Sequence, residues 1–196
     1  MYRPRPRSGH PHLFSSAKAA SPIPARHPAL REAVVQASLD PAVRSLAHIA
    51  TAHAGTAQVE VDAVVLQHDG GSFYLDVVPA RRVRDLDDEG LVQIALRDLG
   101  LQQLVVTTED LRAEPRRSNV RLVWSYKDLA VAVPLRVRIL KTLADDGPME
   151  LGRLLETIRS DRDPSTAVMS LACSDLLELD LTSGPLGPST LVRSRT

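Results

Sequence analysis

The spacing of apolar residues changes along the chain, and each change of period marks a different kind of element. Leu30, Val34, Val35 and Leu39 recur at helical spacing behind Pro28, a residue suited to the first helical position, so a short amphipathic helix is expected there. Asp40-Pro41 stops or kinks it, and Val43, Leu46 and Ile49 are expected in a short turn of helix or an extended piece. The period then becomes two. Val59, Val61, Ala63 and Val65 alternate with Glu60, Asp62 and Val64, and a second strand is expected over residues 72–78, after the hairpin signal Asp69-Gly70. Pro79 ends that strand and leaves Arg81, Arg82 and Arg84 in a loop.

Helical spacing returns with Leu91, Ile94, Ala95, Leu96 and Leu99, behind an acidic first turn (Asp87, Asp88, Glu89) and before Gly100. A short apolar strand over residues 101–107 completes strand, helix, strand, the length of a right-handed crossover with parallel strands. Thr107 or Thr108 is placed to cap a short helix through Asp110, and Ser118-Asn119 to cap another through Leu122, Val123 and Tyr126. From residue 129 the pattern predicts three helices, around Leu135 to Leu143, Met149 to Ile158 and Pro164 to Leu176, then extended chain over 178–182 and a return strand over 190–192. Three helices and a β-hairpin form the winged-helix arrangement, with a plain three-helix bundle as the simpler alternative.

Composition adds limits. The 196 residues are 43% hydrophobic and 24% charged, enough for one or two small domains. No apolar run reaches the length of a membrane-spanning helix and no secretory signal is visible, so a cytoplasmic protein without a membrane partner is expected. Cys173 alone excludes an internal disulfide and a cysteine-cluster zinc site, which fits a reducing compartment. The formal net charge is zero, but residues 1–31 carry six Lys/Arg and no acid. Six prolines in that segment deny it a continuous helix or central strand, so residues 1–27 are expected to be disordered: either a basic arm adding phosphate contacts or a solvated extension.

Candidate chemistry centres on the hairpin. Asp62 and Asp76 are fourteen positions apart. With an odd connecting loop such as Asp69-Gly70-Gly71, both carboxylates lie on one sheet face, where Mg²⁺ binds two acids and a substrate phosphate; otherwise they are solvent-facing acids on a half-exposed sheet. Glu32 on the preceding helix is a third candidate. The six histidines show no metal-ligand spacing on a recognisable helix, Gly70-Gly71 lacks a following helix with Lys-Ser/Thr, and no Ser-His-Asp arrangement is placeable. Arg81, Arg82, Arg84, Arg116 and Arg117, with Arg121, are candidate phosphate contacts on loops at one end of the α/β domain. The third helix of the last domain has no Arg or Lys between Pro164 and Leu177, poor for major-groove readout. That domain is therefore expected to bind protein, or to contact backbone phosphates through Arg136, Arg138, Arg193 and Arg195.

The helix with Glu32, then Leu39-Asp40-Pro41-Ala42-Val43, Val61-Asp62, the run from Phe73 to Arg82, the crossover helix, and above all the stretch from Thr107 to Leu122 resemble TnsA-type transposon endonucleases of the PD-(D/E)XK nuclease superfamily. The likeness covers roughly residues 29–190. It implies a restriction-endonuclease-like mixed sheet with flanking helices over residues 28–127, then a winged-helix domain over 129–196. It further implies Glu32, Asp62 and Asp76 as catalytic residues, Asp62 and Asp76 as Mg²⁺ ligands, DNA as substrate, and a transposase or ATPase as partner. The family's lysine, two residues after the second strand acid, is replaced here by Val78. An aliphatic group cannot polarise water or offset transition-state charge, so the resemblance implies a nuclease fold with impaired or lost cleavage. The alternative is a non-enzymatic DNA-binding or protein-interaction regulator on the same scaffold.

Overall fold

Both faces of the central sheet are apolar, and helices cover both. In the computed structural model, which describes residues 12–158 and 163–195, two short strands, β1 (Leu13–Phe14) and β2 (Ile23–Pro24), precede α1 (Pro28–Ser38). Strands β3 (Val43–Ala54), β4 (Ala57–His68), β5 (Gly71–Val77) and β6 (Gln102–Val106) then form one sheet in that spatial order. The first three are antiparallel, and β6 runs parallel to β5 after a crossover through α2 (Leu86–Asp98). Leu46, Val64, Leu66, Leu75 and Val77 pack with Val34 of α1, whereas Ala52, Ala54, Val61 and Tyr74 pack with Val92, Ala95 and Leu96 of α2.

Short helices α3 (Thr108–Arg112) and α4 (Arg116–Trp124) lead to the second half: α5 (Val133–Asp146), β7 (Met149–Glu150), α6 (Leu151–Thr157), α7 (Pro164–Cys173), β8 (Leu177–Leu179) and β9 (Leu191–Ser194). The last three strands form an antiparallel sheet in the order β7-β9-β8. The chain is therefore a mixed α/β protein. Among the described residues, no helix is long and apolar enough to cross a membrane.

Most expected elements form near their expected bounds, including a Thr107 capping box in which the Asp110 amide donates to Thr107 Oγ1 and the Thr107 amide to Asp110. Three differ, each for a physical reason. Residues 43–54 are a full strand: shifts of register near Arg44 and Ala50 break the alternation, and exposed alanines at 47 and 50 supply no polar signal. Helix α4 starts at Arg116, not at Ser118-Asn119. Asn119 is buried instead, donating to the Leu181 and Gly184 carbonyls at 3.0 and 2.8 Å and accepting from the Leu186 amide at 2.9 Å. Residues 149–150 pair as β7 ahead of the helix that was expected to include them.

Two larger expectations also change. Of the segment expected to be disordered, residues 1–11 lie outside the described residues, but residues 12–27 are packed. Phe14 is buried and stacks on Trp124 with ring centroids 5.6 Å apart, and Ile23 is fully buried. Proline density excludes regular helix but leaves room for two apolar anchors in extended chain. The boundary expected at residues 127–129 cuts through a core, because Val120 and Val123 of α4 share one cluster with Ile139, Leu154, Val168 and Leu177.

Two outcomes follow from this packing. Phe14→Ala removes a large buried ring and is expected to cost about 3–5 kcal/mol in urea denaturation; a change below about 0.5 kcal/mol would mean that the segment does not pack. Cys173 Sγ donates to the Val123 carbonyl at 3.3 Å, and burial pushes its thiol up to about 12. Because the thiolate is the reactive species, labelling of the native chain at pH 8 is expected to be on the order of a thousandfold slower than of the urea-unfolded chain. Equal rates in the two states would contradict the packing of α4 on α7.

Candidate functional site

Strands β4 and β5 pair only from His68–Gly71 to Val65–Tyr74 and separate beyond. A cleft of about 900 Å³ opens where they part. Its walls come from β4 (Asp62), β5 (Asp76), β3 (His48) and the loop after β5 (Arg81, Arg82), which Pro79 turns out of the sheet.

The hairpin loop has two residues, Asp69 and Gly70, not the odd number that same-face placement requires. The register therefore puts Asp62 on the α1-side face with His48 and Val64, and Asp76 on the α2-side face with Tyr74 and Gln103. The splay lets both line one cleft. Between the pairs Ile49–Ala63 and Thr51–Glu60, two β4 residues, Val61 and Asp62, lie against Ala50. Asp62 takes a positive φ of 44° at this bulge.

Each of the three acids is held by an arginine. Asp62 accepts from Arg82 and lies 2.7 Å from His48 Nε2, while Arg82 also donates to Glu60 at 2.9 Å. Asp76 accepts a two-pronged contact from Arg81, at 2.8 Å from Nε and 2.5 Å from Nη2, and a third bond from Gln103 at 2.7 Å. These bonds, Arg81 first, hold the Asp76 carboxyl below the usual carboxylate range. Glu32 pairs with Arg117 at 3.1 Å and does not line the cleft, which α1 reaches through Leu30.

The sequence-predicted site is thus assembled in part. Asp62 and Asp76 share a cleft from opposite faces, and Glu32 is elsewhere. Among the described residues, no group of three His, Cys, Asp or Glu side chains is placed to hold a metal ion. As arranged, the carboxylates do not fit a shared Mg²⁺ site, because their oxygens accept from guanidinium groups and the face carrying Asp62 offers only apolar side chains on β5, Phe73, Leu75 and Val77. Val78 sits in a one-turn 3-10 segment, 38% exposed and outside the cleft lining.

The five candidate DNA-contacting arginines are also internally paired: Arg81 with Asp76, Arg82 with Glu60 and Asp62, Arg84 with Glu89, Arg116 with Asp40, and Arg117 with Glu32. In the second half, the third helix, α7, is buried at every residue from Ala167 to Cys173. Two cleft residues escaped the sequence reading. His48 lies on a strand whose alternation is broken, and Gln103 meets Asp76 only across the parallel β5–β6 pair.

The Asp76–Arg81 contact carries a sign that acid titration reads. A lowered folded-state value means that Asp76 contributes stability above its unfolded value, near 3.9, and loses it as pH falls through the folded value. Asp76→Asn is expected to cost up to about 1 kcal/mol at pH 6–7, with the two thermal unfolding curves drawing together as pH falls below the usual carboxylate range. A separation that persists unchanged at pH 2–3 would show that the ion pair is not its source.

No model of a known protein family matches the chain, and no curated protein does so either.

Proposed function

We propose that the chain is a TnsA-like endonuclease-fold protein that has lost Mg²⁺-dependent phosphodiester cleavage and serves as a non-cleaving component of a DNA-acting assembly. The observation that carries this reading is the closure of Glu32, Asp62 and Asp76 by Arg117, Arg82 and Arg81. A guanidinium on a carboxylate supplies the positive charge that a metal would otherwise supply, but it activates no water.

The fold is consistent with that ancestry. A helix, an antiparallel hairpin, a crossover helix and a strand parallel to the hairpin's second strand occur in the order on which the resemblance rests. Helix, strand, two helices and two strands around a three-stranded sheet support the winged-helix reading of the second half. Burial of α7 argues against reading a major groove with it, so the second half acts as a scaffold. DNA contact then falls to exposed cations outside the paired set, among them Arg112, Arg121, Arg136 and Lys141. A transposase or ATPase partner belongs to the same reading.

Nicking of supercoiled plasmid in Mg²⁺ or Mn²⁺ tests the proposal. Wild type and Asp62→Ala are expected to be equally inactive, and Val78→Lys to gain nothing because position 78 lies outside the cleft. Losing one transition-state stabiliser typically lowers rate by about a hundredfold to a thousandfold, which leaves a detectable residue in a sensitive assay. Wild-type nicking that Asp62→Ala abolishes would overturn the proposal. In fluorescence anisotropy with duplex DNA, Arg121→Glu with Lys141→Glu is expected to weaken binding and flatten its salt dependence, and Arg81→Ala to leave it unchanged.

A further inference from the structure

The fold anchors the base of a strongly basic segment. Residues 1–31 carry six Lys/Arg and no acid, and the first acid of the chain, Glu32, is taken by Arg117. Arg3, Arg5 and Arg7 precede His12, whose carbonyl accepts from the Ala25 amide at 2.7 Å. Next to it Leu13–Phe14 pairs with Ile23–Pro24, and Phe14 stacks on Trp124 of α4. Residues 1–11 are therefore tethered at one fixed point of the surface, beside α1 and α4.

Cations surround that point. Arg26 and Arg31 are exposed, and Arg31 reaches the Leu13 carbonyl at 3.5 Å. Arg121 is exposed too and lies three positions before Trp124 on α4, so the two are neighbours on that helix. The base of the segment thus adjoins a cation to which DNA contact has been assigned.

The sequence of the segment identifies what it can enter. Arg3, Arg5 and Arg7 alternate with Pro4 and Pro6. Proline carries no backbone N–H and biases the residue before it to extended backbone. Bound in extended form at about 3.1 Å per residue, such a repeat sets its guanidinium groups about 6 Å apart, close to two base-pair steps of about 3.4 Å each. Contact with phosphates needs only charge. Entry into a minor groove about 6 Å wide also needs a slender backbone, and the negative potential of narrow A/T tracts attracts arginine, whose weak hydration lowers the cost of entry. At no more than about 3.5 Å per residue, Arg7 and Arg3 lie within about 18 and 32 Å of His12, reach enough for the groove beside a duplex held at Arg121.

We propose that Arg3, Arg5 and Arg7 enter the minor groove of A/T-rich DNA, with Arg26 and Arg31 on the flanking phosphates. The proposal rests on the DNA-binding reading above and adds a base preference to it.

The test is fluorescence anisotropy of the full chain with three duplexes of equal length: A/T-rich, G/C-rich, and the G/C-rich duplex with inosine in place of guanosine. Inosine lacks the N2 amino group, the donor that marks G·C in the minor groove, and keeps the major-groove edge. Wild type is expected to bind the A/T and inosine duplexes about tenfold more tightly than the G/C duplex. Arg3→Ala with Arg5→Ala and Arg7→Ala is expected to erase that preference. Arg26→Ala with Arg31→Ala is expected to keep it, to weaken binding to all three duplexes alike, and to lower the salt slope by about 2. Equal affinity of wild type for the three duplexes, an A/T preference that survives the triple variant, or one that inosine does not restore would overturn the proposal and leave DNA binding standing. Absence of binding to every duplex would overturn the DNA-binding reading and this proposal with it.

Discussion

The register of β4 against β5 is the constraint on which the rest of the site depends. Side chains alternate between faces with a period of two, so the number of residues in the turn decides the face of every residue that follows. Two residues at Asp69-Gly70 put Leu75 and Val77 into the core beneath α1 and send Asp76 to the other side with Tyr74 and Gln103. Moving Asp76 to the face of Asp62 would exchange two buried aliphatics for polar groups along the whole strand. Burial of Leu75 and Val77 contributes about 1.5–3 kcal/mol each, more than an exposed ion pair contributes. Hydrophobic register therefore determines where the carboxylates go.

Once the acids are separated, arginines complete the arrangement. Arg81 and Arg82 are neighbours in sequence, yet they reach acids on two different strands because the chain has just left the sheet at Pro79. The guanidinium groups are about half exposed, so each pair adds little to stability. Their consequence is electrostatic: a cleft lined by carboxylates and arginines in pairs has little net field with which to draw in either a cation or a phosphate.

A buried ionic clasp joins the two halves. Lys18 donates to the Asp40 carbonyl at 2.6 Å and lies 3.5 Å from Asp175, and burial lowers its pKa. Arg195 donates to the Pro41 and Val43 carbonyls at 2.8 and 3.0 Å and to Glu178 at 2.5 Å. Groups from opposite ends of the chain thus fix one loop, residues 40–43. Removing one partner from such a network leaves a buried charge without compensation, a loss of about 3–5 kcal/mol. With α4 in the second core and Phe14 stacked on Trp124, the two halves are built as one body.

By itself, the sequence determined most elements and their order. The amphipathic period of α1, α2 and α5, the Thr107 capping box, the strand-breaking Pro79 and the crossover that makes β6 parallel to β5 are all local features, and local chemistry dictates them. The candidate acids and arginines were legible by residue type. Their partners were not: whether Asp62 meets Asp76, and whether Arg82 is free or engaged, depends on a one-residue difference in loop length and on where the chain turns after β5. Burial of Phe14, Asn119 and α7 was equally invisible, because each is covered by residues far away in sequence. Period and propensity are properties of neighbours along the chain, whereas pairing of charges and exclusion of water are properties of neighbours in space, so only the tertiary structure decided them.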